Sequence, residues 1–301
     1  MTRGRALEYS NLTISGRTAV YAIIGDPVDH SLSPLIQNAA FRSIGMNAVY
    51  VPFRVKQSTL GSAVEGLRTV GVKGFNVTSP YKLRVVRYLD KLDRTAAEIG
   101  SVNTVVNRNG SLLGYNTDGI GAVNAFRGAG AILEGKSVLL FGAGGAGKAV
   151  AFAMASRVRT ILLANRTLTK AKRLQNQLHK KFPVNISHTA ISNSKLPLLV
   201  KESDVIINAS SMGMDGRNNP PVPEDSISAG QWVFDIVYKP IQTKLLRTAE
   251  SAGAQTINGL DMLVSQGAAS FELWTGKKAP MSEMRGAIAQ KVLAMADAKS
   301  S

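Results

Sequence analysis

The chain has 301 residues, a formal net charge of +16 and no cysteine, and 45% of its residues are hydrophobic. This length exceeds that of one typical domain, so we expect two. The composition excludes disulfides and thiolate metal sites, three scattered histidines indicate no metal cluster, and no apolar run approaches the ~20 residues of a membrane span. The first ten residues are not followed by the apolar core of a signal peptide, which predicts a cytoplasmic protein.

The first elements of the chain predict a helix that begins at a serine and a proline. A predicted strand at 19–24 leads to His30-Ser31-Leu32-Ser33-Pro34. Ser33 before Pro34 is typical of an N-cap and a first helical position, which predicts a helix from there to about residue 45. Its hydroxyls and free N–H groups suit an anionic ligand, although a simple helix cap has the same sequence.

A second serine and proline pair follows a predicted strand at 47–53 and a predicted helix at 60–70. By the same rule Ser79 would cap a helix that begins at Pro80, and Lys82 would be its third residue. A cation at that place opposes the positive end of the helix dipole. A locally unfavourable charge of this kind is expected at functional sites, and a solvated lysine is the alternative.

The next stretch contains a predicted hairpin and an acidic motif. Strands at 102–106 and 111–115 flank Asn109-Gly110, a signal for a type I′ turn. The second strand leads into Asn116-Thr117-Asp118-Gly119, from which a helix is predicted to extend to about residue 132.

Residues 137–150 combine an apolar strand, a glycine-rich turn and an alanine-rich helix. Gly142, Gly144 and Gly147 form the G-x-G-x-x-G pattern with which dinucleotide-binding folds place a pyrophosphate at a helix N-terminus. The same residues also match a nucleotidase pattern, G-x-x-x-x-G-K, but Ala149 stands where that pattern needs Ser or Thr. A glycine-rich turn without a ligand is the third interpretation.

The residues after the glycine loop indicate which dinucleotide would bind. A predicted strand at 160–164 ends at Asn165-Arg166-Thr167, where NAD enzymes have an acidic residue and an arginine accommodates a 2′-phosphate. Residues 135–201 contain twelve Lys or Arg and no Asp or Glu. This charge would attract a phosphorylated cofactor. Clustered cations also bind nucleic acids, but no recognition motif accompanies them, so we expect no nucleic-acid partner; plain surface charge is the simplest explanation.

The rest of the chain predicts strands at 204–208 and 232–237, a helix at 243–251 and a proline-rich loop at 220–223. Two helical segments at 260–274 and 282–295 have no following strand, which predicts that they pack back on the N-terminal domain.

Taken together and in this order, these motifs resemble the shikimate dehydrogenase family over nearly the whole chain. Those that carry the resemblance are Gly25-Asp26-Pro27, His30-Ser31-Leu32-Ser33-Pro34 with Asn38, Asn76-Val77-Thr78-Ser79-Pro80-Tyr81-Lys82, Val102-Asn103-Thr104, Asn116-Thr117-Asp118-Gly119, the glycine loop at 142–147, Asn165-Arg166-Thr167, the segment 208–214, Asp235-Ile236-Val237-Tyr238, and Gly259 with Met262-Leu263-Val264 and Gln266.

The resemblance implies an α/β protein with a substrate-binding domain at 1–117 plus 259–301 and a Rossmann-type NADP-binding domain at 118–258. It implies reversible reduction of 3-dehydroshikimate by NADPH to shikimate, a step of aromatic amino-acid biosynthesis. Lys82 and Asp118 would be the catalytic pair. The residues implied to bind substrate are Ser31, Ser33, Asn76, Thr78, Asn103, Tyr238 and Gln266. Those implied to bind the cofactor are Gly142, Ala143, Gly144, Gly145, Ala146, Asn165, Arg166, Thr167, Lys170, Ile236 and Gly259.

Two alternative functions remain open at the level of sequence. A quinate dehydrogenase, or a dual quinate and shikimate dehydrogenase, would differ by one substrate hydroxyl and in some cases by cofactor; Arg166 with Ser31 and Ser33 favours NADP and shikimate. A non-catalytic relative that binds the ligand as a regulator is the other class, and the presence of both Lys82 and Asp118 argues against it. The oligomeric state is left open, with a homodimer as one candidate.

Overall fold

The computed structural model describes residues 14–216 and 218–300, with the side chains of 215 and 292–300 excepted, so the prediction about the first ten residues lies outside the described part. No described helix is long and apolar enough to cross a membrane. The strands are β1 Ala19–Gly25, β2 Ala48–Arg54, β3 Gly74–Val77, β4 Lys91–Leu92, β5 Thr104–Arg108, β6 Ser111–Tyr115, β7 Ser137–Phe141, β8 Thr160–Asn165, β9 Asn185–Ala190, β10 Val205–Asn208, β11 Trp232–Asp235 and β12 Gln255–Ile257. The α-helices are α1 Ser33–Ser43, α2 Leu60–Thr69, α3 Arg94–Ile99, α4 Asp118–Gly128, α5 Gly145–Ala155, α6 Leu168–His179, α7 Leu196–Lys201, α8 Lys244–Ser251, α9 Gly259–Thr275 and α10 Met281–Ser300.

The second half of the chain forms a six-stranded parallel sheet in the order β12-β11-β10-β7-β8-β9. Its central strands are mostly apolar, as in β7 with Val-Leu-Leu-Phe after Ser137, because helices cover both faces of a parallel sheet. The chain moves outward from β7 to β9 and then returns to β10 on the other side of β7. Ligands of such sheets bind at the carboxyl ends of the strands where the order reverses. The sheet therefore places a ligand crevice beyond β7 and β10.

The first half forms a mixed six-stranded sheet in the order β2-β1-β3-β5-β6-β4. Strand β1 is parallel to both neighbours, whereas β3, β5 and β6 pair in antiparallel fashion. The β5–β6 hairpin turns at Asn109 and Gly110, which have φ values of 53° and 89°. Positive φ at both positions is the signature of a type I′ turn, so this prediction is confirmed.

The C-terminal helices return to the first sheet, as the fold class requires. Residues of α9 and α10 share one buried cluster with α1, and the rings of Phe41 and Phe271 lie 5.5 Å apart within it. Helix α9 also packs along α4. It thus contacts both halves of the chain, and the exact domain boundaries stay a prediction.

The predicted cap of α1 is wrong by one residue. Ser33 is the first residue of the helix rather than its N-cap, and Leu32 precedes it with helical dihedral angles. The hydroxyl that accepts a backbone hydrogen bond here is that of Ser31, from the Ser33 N–H at 3.2 Å. Ser33 is buried, so its hydroxyl is directed into the protein.

The predicted helix at Pro80 is also wrong. Residues 79–84 form turns, and only a short 3-10 helix, Val85–Tyr88, follows. In a helix the Lys82 carbonyl would accept from the N–H four residues later, but here it accepts from Val102 N–H at 2.8 Å. The buried Tyr81 donates its hydroxyl to the Val55 carbonyl at 2.5 Å. These two long-range hydrogen bonds hold the segment against the sheet, so Lys82 lies at no helix N-terminus.

Candidate active site

Lys82 and Asp118 form an ion pair at the crevice between the two halves. The distance from Lys82 Nζ to Asp118 Oδ2 is 2.7 Å, with side-chain exposures of 18% and 4%. Asp118 begins α4, where the helix dipole favours a negative charge. Its Oδ1 accepts from Asn103 Nδ2 at 2.8 Å, and its N–H donates to Asn116 Oδ1. Both carboxylate oxygens are therefore engaged, which fixes the orientation of the pair.

The glycine loop lies directly against this lysine. A Cβ added to Gly145 would stand 2.8 Å from Lys82 Cβ and 3.0 Å from Ser101 Oγ, which is closer than carbon atoms approach. Gly145 is thus restricted to glycine by its contact with the lysine. A group held by the loop would consequently lie beside the Lys82 side chain.

Each of the other glycines of the loop has its own geometric role. Gly142 has a φ of 107°, which disfavours any side chain, and a Cβ on Gly147 would meet the Gly142 carbonyl at 2.3 Å. Gly144, in contrast, faces open space, and the α5 N-terminus that follows it carries no side-chain cap. Free N–H groups beside open space fit a phosphate, so Gly144, Gly145 and Ala146 suit the predicted pyrophosphate, whereas the N–H groups of Gly142 and Ala143 donate within the protein.

The turn after β8 adjoins the glycine loop and is basic. Asn165 joins the two, because its Oδ1 accepts from Ala143 N–H at 3.2 Å and its Nδ2 donates to the Thr167 carbonyl at 2.8 Å. Arg166 and Lys170 are exposed, and neither forms an ion pair within the described residues. Two unpaired cations next to the phosphate loop suit the 2′-phosphate of NADP.

On the opposite side of the crevice, Gly259 lies under the chain that leaves β11. A Cβ on Gly259 would meet the Ile236 carbonyl oxygen at 2.3 Å, so only glycine allows this approach. Ile236 is in turn held by its N–H to the Asn208 carbonyl at the end of β10. The structure thus brings together the two residues predicted to line the nicotinamide.

The residues predicted to bind substrate fall into two connected groups. In one, Asn103 Nδ2 also lies 3.2 Å from Gln266 Oε1, and Asn76 Nδ2 donates to the Asn103 carbonyl. In the other, the Tyr238 hydroxyl lies in hydrogen-bond contact with Ser31. Thr78 is separate from both, with its methyl group against Gly25.

Tyr50, which the sequence analysis does not predict, connects these groups. Its hydroxyl donates to Asn76 Oδ1 at 2.6 Å and contacts the Ser33 side chain. Burial raises the pKa of Tyr50 well above its usual range and also raises the pKa of Tyr238, with hydrogen bonds offsetting part of each shift. Both phenols therefore stay protonated and able to donate. The signal in the sequence is a tyrosine at an inward position of the alternating strand β2.

Asp235 is a second residue that the sequence analysis leaves without a role. It is fully buried at the end of β11 and accepts hydrogen bonds from Asn208 Nδ2, the Val237 N–H and Thr243 Oγ1 at 2.8 to 3.0 Å. Burial raises its pKa from 3.8 to about 6, and the three hydrogen bonds offset part of this shift.

The raised pKa of Asp235 predicts a pH-dependent stability. Between about pH 4 and pH 6 the unfolded carboxyl loses its proton while the folded one retains it, so the free energy of unfolding falls as the pH rises. The shift corresponds to about 3 kcal/mol at most. We expect Asp235→Asn to lack this pH-dependent part of the free energy of unfolding. Urea unfolding at pH 4 and pH 7 measures it, and the exposed Asp225→Asn is the control. Equal pH dependence in wild type and Asp235→Asn would contradict the prediction.

A parallel sheet with a glycine loop, an adjoining basic turn and a Lys–Asp pair at the crevice defines a Rossmann-type dinucleotide-dependent oxidoreductase. Comparison with known proteins specifies it further. The family model of the shikimate dehydrogenase substrate binding domain matches residues 23–105, that of shikimate / quinate 5-dehydrogenase matches 127–215, and that of the shikimate 5'-dehydrogenase C-terminal domain matches 259–289.

Individual relatives agree with these matches. The shikimate dehydrogenase (NADP(+)) of Pyrococcus furiosus is 47% identical over 272 residues, which cover 90% of this chain and 96% of the relative. A crystal structure of a shikimate dehydrogenase in complex with NADP+ superposes with a TM-score of 0.85 at 39% identity, covering 93% and 97% of the two chains. That of the Thermus thermophilus enzyme with NADP(H) and shikimate gives 0.81 at 32% identity, covering 91% and 99%. The chain belongs to the shikimate dehydrogenase family.

Proposed function

We propose that this protein catalyses the reversible reduction of 3-dehydroshikimate by NADPH to shikimate, a step of aromatic amino-acid biosynthesis. The observation that carries the proposal is the Lys82–Asp118 pair, held beside the glycine loop by the contact of Gly145 with Lys82. A ligand-binding regulator would need no such partly buried proton donor next to its dinucleotide site.

The mechanism divides the work between the cofactor and the protein. NADPH, when bound, supplies the hydride that reaches the carbonyl carbon of the substrate. The carbonyl oxygen then needs a proton, and Lys82 Nζ is the group placed to give it. Asp118 holds the ammonium group in position through its Oδ2, and Asn103 fixes the carboxylate through Oδ1. In the oxidation of shikimate the deprotonated amine accepts the hydroxyl proton.

The two polar groups divide the remaining recognition of the substrate. Ser31, Ser33 and Tyr238 lie near the start of α1, where their three hydroxyls suit a carboxylate. Asn76 and Gln266 lie on the side of the Lys–Asp pair and suit the ring hydroxyls.

A four-way assay tests the proposed function. The protein is incubated with shikimate or quinate, each with NADP⁺ or NAD⁺, and the reduced cofactor is followed by absorbance. We expect turnover with shikimate and NADP⁺ to exceed that of the other three pairs greatly. Comparable turnover of quinate would support the dual dehydrogenase instead, and no turnover in any pair would support the binding protein.

The cofactor choice gives a separate prediction for Arg166. Charge-assisted hydrogen bonds contribute on the order of 1.5 to 3 kcal/mol each, so Arg166→Ala should raise the KM for NADPH about tenfold or more and barely change that for NADH. The exposed Arg173→Ala on the neighbouring helix α6 is the control and should leave both values unchanged. An equal loss with both cofactors would show that Arg166 does not recognise the 2′-phosphate.

The proposal also covers the localisation of the protein, its assembly and its binding to nucleic acid. We expect a cytoplasmic enzyme that binds no nucleic acid despite its positive charge, and a homodimer is one candidate for its assembly. Light scattering tests the assembly, and a DNA filter-binding assay at physiological salt tests the last point. A monomeric mass, or retained DNA, would overturn the corresponding expectation.

A further inference from the structure

Two of the residues proposed to bind substrate, Asn76 and Asn103, are asparagines whose amide groups can each be turned in either of two ways. The oxygen of an amide accepts hydrogen bonds and its nitrogen donates them, so the orientation decides which of them faces a ligand. A substrate with several hydroxyls can be recognised specifically only by amides that keep one orientation. Some part of the protein must therefore fix both amides.

Thr104 is the residue that contacts both amides. It lies on β5 directly opposite Asn76 of β3 in the antiparallel register, and it is fully buried. Its hydroxyl accepts from Asn76 Nδ2 at 3.1 Å and donates to Asn103 Oδ1 at 2.9 Å. One hydroxyl thus receives a hydrogen bond from one amide and gives one to the other.

The surroundings of Thr104 support this direction of the bonds. Asn76 Nδ2 also lies 3.0 Å from the Asn103 carbonyl and 3.1 Å from Ser270 Oγ, so the interior offers acceptors to the nitrogen. A reversed amide would place Asn76 Oδ1 against that carbonyl oxygen, which is repulsive. The observed orientation leaves Asn76 Oδ1 on the side of Tyr50, where it accepts from the phenol.

The same holds for Asn103. Its Oδ1 accepts from the Thr117 N–H at 2.8 Å in addition to Thr104, which leaves Nδ2 to donate to Asp118 and Gln266. The Thr104 hydroxyl itself lies 2.7 Å from Ser270 Oγ of helix α9, so it is held from the far side as well.

We propose that Thr104 is a positioning residue for the substrate site, whose hydroxyl holds the amides of Asn76 and Asn103 in the orientations that the Asn103 carbonyl and the Thr117 N–H favour, and thereby keeps Asn76 Oδ1 on Tyr50 and Asn103 Nδ2 on Asp118 and Gln266. This inference rests on the proposed function. Thr104 does not contact the reacting atoms, and it acts on substrate affinity rather than on proton transfer.

The test is Thr104→Val, which replaces the hydroxyl by a methyl group of similar volume, with Thr104→Ser restoring the hydroxyl. We expect the KM for shikimate to rise about tenfold in Thr104→Val, with kcat within about threefold and the KM for NADP⁺ within about twofold of wild type. Thr104→Ser should return the KM for shikimate close to the wild-type value. Equal KM values for shikimate in the Val and Ser variants would overturn the proposal.

Thr189→Val on β9 is the matched control. Thr189 is also a buried threonine, and its hydroxyl accepts from Asn193 Nδ2 at 2.7 Å, at the outer edge of the second sheet. The Thr189→Val variant loses a comparable hydrogen bond, and it should leave kcat, the KM for shikimate and the KM for NADP⁺ unchanged. A rise in the KM for shikimate in Thr189→Val equal to that in Thr104→Val would show a general effect of destabilisation and overturn the proposal.

A double-mutant cycle separates positioning from simple loss of stability. If Thr104 acts through Asn76 and Asn103, Thr104→Val should raise the KM for shikimate by a smaller factor in the Asn76→Ala background than in wild type. Multiplied effects would overturn the proposal.

The coupling between the two substitutions can also be measured in the free energy of unfolding, without any enzyme assay. This keeps the inference distinct from the proposed function. In urea unfolding, Thr104→Val and Asn76→Ala should be coupled, whereas Thr189→Val and Asn76→Ala should be additive. Failure of wild type to turn over shikimate would refute the proposed function alone. Absence of coupling in unfolding would refute the role of Thr104 whether or not the enzyme is active.

Discussion

Replacing Lys82 with alanine should lower kcat for shikimate oxidation by roughly 10² to 10⁴, the usual contribution of one general acid or base. We expect the KM values to change less than kcat, because the ammonium group acts on the reacting oxygen and the substrate keeps its other polar contacts. The structure supports a specific role for this lysine. Its carbonyl is held by Val102, its Cβ lies against Gly145, and its ammonium group is held by Asp118.

Lys136→Ala is the matched control for this variant. Lys136 also pairs with an aspartate, since its Nζ lies 3.6 Å from Asp204 Oδ1, but it precedes β7 at the end of the sheet opposite the crevice. Steady-state kinetics of Lys136→Ala should match wild type. A near-normal kcat in Lys82→Ala would assign the proton transfer to another group, either His30 or a bound water.

Asp118→Asn should lower kcat by about 10² and weaken substrate binding as well. The carboxylate accepts from Lys82 on one oxygen and from Asn103 on the other. An asparagine must turn its NH₂ group toward one of these donors, so one of the two contacts is lost.

The control for this variant is Asp90→Asn. Asp90 is likewise bonded to a cation and to a backbone N–H, namely Arg68 at 2.8 Å and Leu112 at 2.7 Å, but it lies outside the crevice. Asp90→Asn should change stability without changing kcat. An Asp118→Asn enzyme with wild-type kcat would show that the carboxylate does not act on Lys82.

Local sequence patterns predicted a large part of the fold. The strand, glycine turn and helix at 137–150, the Asn109-Gly110 hairpin and most strands of both sheets follow from apolar periodicity and from the conformational freedom of glycine. Strands β3, β4, β9 and β12 and helices α3, α6 and α7 are absent from the prediction. Strand β9, Asn-Ile-Ser-His-Thr-Ala, lies at a sheet edge and has only a weak apolar pattern.

The resemblance supplied the family and the residues Lys82 and Asp118, but local rules misplaced the lysine. The serine and proline pair at 79–80 has the composition of a helix start, yet Val102, twenty residues later, takes the Lys82 carbonyl that such a helix would use. A pattern within a few residues cannot reveal a hydrogen bond to a distant strand.

The sequence by itself determined the order of the elements, the place of the dinucleotide loop and the family, because these depend on spacing along the chain. Only the tertiary structure decided which polar groups meet. Three residues look like ordinary strand residues in the sequence, namely Tyr50, Thr104 and Asp235. They acquire roles through partners from other strands and helices. Hydrogen bonds act over about 3 Å, and the distance between two side chains far apart in sequence is set only when the sheets and α9 are packed.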